Sequence, residues 1–132
     1  MKFSILILFF FTLSCSTHYT KLDNRKPYNS TGFAYIYNEY DYVNKKLKKK
    51  LNNELLQISH KDLKAGTLIK LINPKSKETL VLKNFKNIQY PDFYKIIITK
   101  PVAIKLNINE ELPLIEVLEI KRKKLLLLKK QK

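Results

Sequence analysis

Acid–base chemistry in this chain would depend on very few side chains, because 26 Lys and Arg residues stand against only 11 Asp and Glu. His60 lies at the start of a stretch that runs to Asn87, in which the only carboxylates are Asp62 and Glu78. Further along, Asp92 lies in the sequence YPDFY. A carboxyl group with a raised pKa can deliver a proton at neutral pH, whereas a lysine ammonium is too weak an acid. Asp92, like Asp62 and Glu78, is thus a carboxylate to consider as a proton donor, although an Asp beside Pro is more often a turn residue.

The only cysteine, Cys15, lies at the end of a recognisable N-terminal pattern. It follows Lys2, an uncharged apolar run from Phe3 to Leu13, and the small residue Ser14. Such a run fits a secretory signal peptide and is shorter than the roughly 20 apolar residues that span a bilayer. A cysteine at this point resembles a bacterial lipobox, in which the thiol is acylated and the chain is cut before it. The alternative is an ordinary cleaved signal, but no second cysteine exists to pair with an incidental one. We expect residues 1–14 to be a lipoprotein signal peptide and Cys15 to carry the lipid anchor.

Residues 15–30 are polar, contain Pro27 and show no periodicity, which predicts a tether between the anchor and a folded domain. His18 has no second ligand residue near it, so we expect a solvated side chain there and no metal or other cofactor. A protein anchored in this way is expected in the cell envelope, facing the periplasm. Ser16 after the cysteine, rather than Asp, favours the outer membrane over the inner one.

The formal net charge of +15 does not by itself identify a partner. The chain is rich in Lys, Asn, Ile, Tyr and Phe, as expected from an AT-rich coding sequence, which makes a protein basic without a functional reason. The densest basic run is Lys45–Lys50. It could contact nucleic acid in principle, but an exported protein does not routinely meet nucleic acid. We therefore expect a solvated basic surface and no nucleic-acid partner.

Alternation of apolar residues predicts about six short strands. They lie at residues 31–40, 55–60, 67–73, 78–83, 96–98 and 112–121. Pro74–Lys77 forms the turn of a hairpin between the third and fourth strands, and Gly66 permits the bend before it. A short helix is predicted after Thr99, its N-cap, with Pro101 in the first turn. The leucines of Asp41–Leu56 recur every fourth residue, which predicts either a short helix or an ordered loop.

These elements predict a mainly β fold, a small six-stranded barrel with one or two short helices that occupies residues 31–120. Residues 121–132 follow as a basic tail, KRKKLLLLKKQK. The simplest interpretation is a frayed extension of the last strand or of a helix. The alternative is a membrane-surface segment, with Leu125–Leu128 at the lipid interface and the lysines on anionic headgroups. A run of four leucines is too short to span a bilayer.

Three segments resemble, in order and spacing, the rare lipoprotein A-like family of envelope proteins. GFAYIYN at residues 32–38 is similar to the opening strand of that family, G-x-A-S-W-Y-G. Residues 59–83 align without a gap with the family motif A-H-K-T-L-P-x-G-T and the two strands next to it. The segment ITKPVAIKLNI is similar to the family's helix L-S-x-A-A-A-x-x-L-G-I. The identities in the second segment are His60, Lys61, Leu63, Gly66, Thr67, Asn73 and Val81.

The resemblance covers residues 31–120 and implies a double-psi β-barrel. Active members of the family are lytic transglycosylases that cut peptidoglycan glycan strands, with an Asp as the proposed general acid. In this chain Lys86 stands at that position, Asn87 replaces the adjoining Arg, and Ile97 replaces a second Asp. Neither lysine nor isoleucine can readily protonate a glycosidic oxygen at neutral pH. The resemblance therefore implies a barrel that has lost the family's acid.

Two functional hypotheses follow. The first is a non-catalytic, monomeric lipoprotein, held to the membrane through Cys15, whose barrel groove and basic, tyrosine-rich rim bind peptidoglycan or an envelope protein. Sugar rings stack on aromatic faces, and lysines attract the carboxylates of peptide stems. The candidate residues are Tyr35, Tyr37, His60, Lys86 and Tyr90. Packing in the barrel is the alternative for Tyr35 and Tyr37, and a structural hydrogen-bonding role is the alternative for His60. The second hypothesis is a divergent lytic transglycosylase with Asp92 as a relocated acid.

Overall fold

The computed structural model describes residues 25–121, which contain six strands and two helices. The strands are β1 Asn29–Ile36, β2 Ile58–Ser59, β3 Leu68–Ile72, β4 Thr79–Lys83, β5 Tyr94–Ile98 and β6 Leu114–Ile120. The helices are α1 Glu39–Val43 and α2 Lys100–Lys105. The predicted signal peptide, the lipidation site Cys15, the first part of the tether and the basic tail from residue 122 onward lie outside the described residues, and these predictions stay predictions.

The strands form one mixed sheet that curls into a nearly closed barrel. Their order is β2-β5-β1-β6-β3-β4, with β1 and β5 parallel and every other neighbouring pair antiparallel. An isolated bridge joins Ile58 in β2 to Asn84, one residue beyond β4, and the backbone N–H of Phe85 donates to the carbonyl of Ile58 at 3.0 Å. These contacts bring the two edges of the sheet together. The predicted mainly β, six-stranded barrel with two short helices is confirmed.

The interior of the barrel is filled by alternate residues of the strands. In β3, Ile69 and Leu71 are fully buried while their neighbours are partly exposed, and Ile115 and Val117 repeat this pattern in β6. Successive side chains of a strand point to opposite faces, so the alternation used to predict the strands also defines their inner face. Each such side chain stabilises the fold by about 1.5–3 kcal/mol through burial. Val102 and Ala103 of α2 pack into this barrel core.

Helix α2 begins where the sequence predicted, but Thr99 stabilises it differently from a usual N-cap. The Thr99 side chain makes no capping hydrogen bond to the helix. Its hydroxyl instead donates to the carbonyl of Leu55 at 2.6 Å and accepts from the backbone N–H of Gln57 at 3.2 Å. Pro101 occupies the first turn, where a missing N–H has no consequence. Thr99 therefore ties the helix to the segment before β2.

A second hydrophobic cluster lies on the outer side of β5. Ile96 and Ile98 face the barrel core, whereas Ile97, between them, faces the opposite way and is also fully buried. The residues packed with Ile97 are Tyr37, Leu47, Leu51, Ile88 and Tyr90, with Tyr35 and Tyr94 at the margin. This outer cluster explains why β5 is apolar on both faces.

The segment Asp41–Leu56, which the sequence left as a helix or a loop, is mostly an ordered loop. Helix α1 ends at Val43, and Lys45 takes a left-handed backbone conformation with φ of 62°. Leu47 and Leu51 point into the outer cluster, whereas Leu55, the third leucine of the fourfold series, is 52% exposed. The leucine spacing therefore marks loop positions that cover β5, not one face of a helix.

The first strand begins earlier and ends earlier than predicted. β1 starts at Asn29, inside the predicted tether, and stops at Ile36 because Asn38 is the N-cap of α1 and accepts from the backbone N–H of Tyr40. The last tether residues are held against β6. The guanidinium of Arg25 donates twice to the carboxylate of Glu119, at 2.9 and 3.1 Å, and the N–H of Tyr28 donates to the same group at 3.0 Å.

Candidate functional site

His60, at the end of β2, is a buried neutral side chain. Only 1% of its surface is exposed, and its Nδ1 accepts from the backbone N–H groups of Asp62 at 3.2 Å and Leu63 at 3.3 Å. Burial lowers the pKa of His60, which keeps the ring neutral. The ring of Tyr28 packs edge-on against it, with the centroids 4.4 Å apart, and the buried Nε2 has no hydrogen-bond partner. The geometry is that of a packed residue that holds the following turn.

Two asparagine side chains fix the backbone around His60. Asn84 is 1% exposed; its Oδ1 accepts from the N–H of His60 at 2.8 Å, and its Nδ2 donates to the carbonyls of His60 at 3.1 Å and Leu63 at 2.8 Å. Asn87 also donates to the carbonyls of His60 and Leu63. The sequence analysis did not identify Asn84. A polar residue directly after an apolar strand was the available indication.

Asp92 lies close to this region but is not placed as a catalytic acid. Its side chain is 99% exposed and forms an ion pair with the ammonium of Lys61. The hydrogen bond from Lys61 and its positive charge hold the pKa of Asp92 below its usual value. The carboxylate is therefore ionised at neutral pH and has no proton to donate.

Two carboxylates, Asp62 and Glu119, oppose the lowering of the His60 pKa. The side chain of Glu119 is only 8% exposed. Its oxygens already accept from Arg25 and from the N–H of Tyr28. These bonds fasten the segment before β1 to the barrel. Glu119 is thus a structural acceptor that the sequence analysis did not single out.

The predicted tyrosines and Lys86 do not form a single open rim. Tyr37 is fully buried in the outer cluster, where its hydroxyl lies near the backbone N–H of Leu51 without a well-formed hydrogen bond. Tyr90 is 7% exposed; its hydroxyl accepts from the N–H of Lys61 at 3.2 Å and donates to the carbonyl of Lys95 at 3.1 Å. Burial raises the pKa of both phenols. Both tyrosines are packing residues in this structure.

Lys86 lies at the surface, apart from these tyrosines. Its ammonium is positioned over the ring of Phe85, 5.0 Å from the centroid, and its backbone carbonyl accepts from the hydroxyl of Ser59. Through that backbone contact Lys86 helps to close the barrel. Among the predicted candidates, His60 and Tyr90 are brought together through Lys61, while Lys86 points elsewhere.

Tyr35 lies in an open cleft of about 510 Å³ on the outer side of β1 and β5. The lining comprises Phe33, Ala34, Tyr35, Ile36, Asn38, Asp41, Phe93, Tyr94, Glu110, Glu111 and Pro113. The hydroxyl of Tyr35 donates to the carboxylate of Asp41, and burial together with Asp41 raises the pKa of the phenol. We call this feature the aromatic cleft.

Four rings form a continuous wall along the aromatic cleft. Phe33 and Phe93 are stacked with centroids 5.1 Å apart and an interplanar angle of 13°. Tyr94 meets Phe93 edge-on at 5.1 Å and Tyr35 edge-on at 4.9 Å. Parallel pairing places Phe33 opposite Tyr94, with a register shift between β1 and β5 directly after Phe33. On the other side of β1, the N–H of Ala34 donates to the carbonyl of Pro113 at 2.8 Å, just before β6. The wall thus depends on the pairing of β1 with β5.

The charged side chains that line the cleft are all carboxylates. They are Asp41 from α1, and Glu110 and Glu111 from the loop before β6, both exposed. This is the reverse of the strong positive charge of the chain as a whole. Aromatic faces with carboxylate acceptors can hold a ligand that has apolar ring faces and hydroxyl or amino donors.

The fold and this cleft define a small β-barrel with an aromatic and acidic surface site. No known protein-family model matches the chain, and no curated protein is significantly similar to it in sequence. Within residues 25–121, no helix is long and apolar enough to cross a bilayer. No group of three or more His, Cys, Asp or Glu side chains in that same range is placed to hold a metal ion.

Proposed function

We propose that this chain is a divergent, non-catalytic lipoprotein of the rare lipoprotein A type, which binds the glycan strands of peptidoglycan. Its barrel is compatible with the double-psi β-barrel of that family, and residues 32–38, 59–83 and 98–108 follow the family's segments in order. Acylation of Cys15 anchors the protein in the cell envelope, facing the periplasm, with the outer membrane favoured. The domain acts as a monomer.

The aromatic cleft is the observation that carries this proposal. Phe93 is 62% exposed although it is a large apolar side chain, and it continues the ring wall out to the solvent. Sugar rings present apolar C–H faces that stack on such rings, and their hydroxyl and amide groups donate to carboxylates such as Glu110 and Glu111. A volume of about 510 Å³ is within the range of small-ligand sites. The cleft replaces the predicted basic rim as the binding surface, and Tyr35 is the residue that the two share.

The non-catalytic part of the proposal rests on the state of the acids. Lytic cleavage needs a carboxyl group that keeps its proton at neutral pH, which a desolvated site provides. Asp92 has the opposite environment, because it is exposed and paired with Lys61. Lys86 and Ile97 stand at the family's two acid positions, and Ile97 is a buried core residue. The hypothesis of a lytic transglycosylase that uses Asp92 therefore has less support, and an envelope protein is the alternative ligand.

Co-sedimentation of the full chain with purified sacculi tests the proposal. The wild type is expected to bind, and Phe93→Ala is expected to weaken binding about tenfold, because loss of an aromatic contact removes roughly 1 kcal/mol or more. Phe85→Ala is the matched control, since Phe85 is 48% exposed and does not line the cleft. Equal binding by wild type and Phe93→Ala would remove the cleft from the proposal.

The same incubation separates binding from catalysis. Mass spectrometry of the supernatant is expected to detect no released anhydro-muropeptides from the wild type. Their release by the wild type and not by Asp92→Asn would support the enzymatic hypothesis instead.

A further inference from the structure

Helix α1 and the loop after it expose apolar side chains next to a dense set of lysines. On α1, Tyr40 is 73% exposed and Val43 is 70% exposed. Spaced three residues apart, they share one face of the helix. The lysines Lys45, Lys46, Lys48, Lys49 and Lys50 are all exposed. We call the two apolar residues and these five lysines the lysine–tyrosine patch.

The patch is held in one arrangement by contacts beneath it. The N–H of Asn44 donates to the carbonyl of Tyr40 at 2.8 Å, and the N–H of Leu47 donates to the carbonyl of Asp41 at 3.0 Å, which folds the loop onto α1. Leu47 and Leu51 are buried in the outer cluster, with 2% and 1% of their surfaces exposed. With its leucines anchored inside, the loop must present its lysines outward.

Most of the positive charge of the patch is available to a partner. Lys46 lies 4.0 Å from the carboxylate of Asp41 and is itself 70% exposed. For Lys48, Lys49 and Lys50, no carboxylate among the described residues lies within ion-pairing distance. A soluble polyanion could bind these lysines, but it would leave Tyr40 and Val43 in water. A bilayer interface accommodates both kinds of group, because tyrosine and aliphatic side chains enter the headgroup region while lysines bind lipid phosphates.

We propose that the lysine–tyrosine patch docks the domain on an anionic phospholipid surface. The lysines contact the lipid phosphates, and Tyr40 and Val43 lie at the boundary between headgroups and acyl chains. This contact is separate from the aromatic cleft and does not depend on acylation of Cys15. It would fix the orientation of the barrel on the membrane instead of leaving it free on its tether.

The test uses the full chain with Cys15→Ser, which removes the acylation site, and vesicles of phosphatidylcholine with or without phosphatidylglycerol. Sedimentation is expected to show stronger binding to the anionic vesicles. Lys48→Ser/Lys49→Ser/Lys50→Ser is expected to weaken that binding by on the order of 100-fold, since each lysine near an anionic surface is worth about fivefold. Lys64→Ser/Lys75→Ser/Lys83→Ser removes the same charge from exposed lysines outside the patch and is expected to have a much smaller effect.

A second variant tests the apolar part of the patch. Tyr40→Ser/Val43→Ser keeps every lysine and is expected to weaken binding to anionic vesicles about tenfold, while binding to soluble polyphosphate is unchanged. Equal losses in the two lysine triples would overturn the proposal, because binding would then follow net charge alone. So would full binding by the Tyr40/Val43 variant, which would indicate a soluble polyanion as the partner. The side chains replaced in the two lysine triples and in Tyr40→Ser/Val43→Ser are exposed, and circular dichroism verifies that each variant is folded.

Discussion

Two neighbouring regions of this barrel use the same residue types in opposite ways. Around His60, the tyrosine, lysine and asparagine side chains are buried or hydrogen-bonded to the backbone, and they hold the turn after β2 in place. In the aromatic cleft, the rings of Phe33, Phe93, Tyr94 and Tyr35 pack on one another and leave one side open to solvent beside three carboxylates. Apart from the Nε2 of His60, the first region satisfies its own polar side chains, whereas the second leaves apolar and acceptor groups available.

The difference separates a region that maintains the fold from a region that is open to a ligand. His60 and the residues after it resemble a catalytic family, yet their contacts stabilise the fold. Among the motifs that carry the resemblance, only the first strand, which contributes Tyr35, lies in the aromatic cleft. The cleft has the features of a binding site. Stability and binding should therefore respond separately to substitutions in the two regions.

The largest expected effect on stability is that of Asn84→Ala in the His60 region. The substitution leaves the N–H of His60 without its acceptor and removes the donor to the carbonyls of His60 and Leu63. Asn87 still donates to both carbonyls, so the main cost is the unsatisfied N–H of His60. An unsatisfied buried group costs about 1–3 kcal/mol, and we expect the free energy of unfolding to fall by roughly 2 kcal/mol. Urea denaturation followed by circular dichroism measures it.

Gln89→Ala is the control for this substitution, since it removes an exposed carboxamide nearby and is expected to change stability by less than about 0.5 kcal/mol. If Asn84→Ala were as stable as this control, the His60 region would not be the structural frame that its contacts indicate.

An intermediate effect, on binding alone, is expected from Glu110→Gln/Glu111→Gln in the aromatic cleft. Charged acceptors make the stronger hydrogen bonds to hydroxyl groups, so we expect affinity for sacculi to fall about tenfold. The free energy of unfolding should be unchanged, because both side chains are exposed. Pelleting with sacculi and urea denaturation measure the two quantities on the same preparation.

Glu54→Gln/Glu78→Gln removes the same charge from exposed positions outside the cleft lining and is expected to bind as the wild type does. A tenfold loss in this control as well would mean that the cleft has no special part in binding.

The smallest expected effect is a pH dependence of stability that originates at His60. Because burial lowers its pKa, the unfolded chain takes up a proton near pH 6.5 while the folded chain stays neutral. The contribution of His60 to the free energy of unfolding is constant above about pH 6.5. It is lost as the pH falls from there toward the pKa of His60 in the folded chain. The charges of Asp62 and Glu119 oppose this shift, and that of Lys61 adds to it.

His60→Gln keeps an acceptor but cannot titrate, and it isolates this contribution. Denaturation curves between about pH 8 and pH 5 should show a smaller loss of stability for the variant than for the wild type. Parallel pH profiles for the two proteins would contradict a buried neutral His60.

The strands and helix α2 could be predicted from the sequence because each depends on neighbouring residues. Alternation defined β3 and β6, and Pro101 with Thr99 defined the start of α2. The burial of Tyr37 and Tyr90 could not be predicted in the same way. Alternation shows which side chains share a face, but not that the loop carrying Leu47 and Leu51 covers the outer face of β5.

The aromatic cleft could not be predicted from the sequence, for a related reason. Its wall joins β1 to β5, and its carboxylates come from α1 and from the loop before β6, segments far apart in the chain. The pairing of β1 with β5 includes a register shift after Phe33, and no local pattern specifies such a shift. Tyr35 was identified only because its strand has an aromatic character.

The bonds between Arg25, Tyr28 and Glu119 bear on how the barrel would withstand tension. A pull on the chain ahead of residue 25 would load β1, which is paired on both sides, and through Glu119 it would reach β6 directly. An edge strand has one neighbour to resist such a pull, whereas β1 is paired with β6 over Asn29–Phe33 and with β5 over Phe33–Ile36. A pull from this side would therefore have to break the pairing with both neighbours before β1 left the sheet.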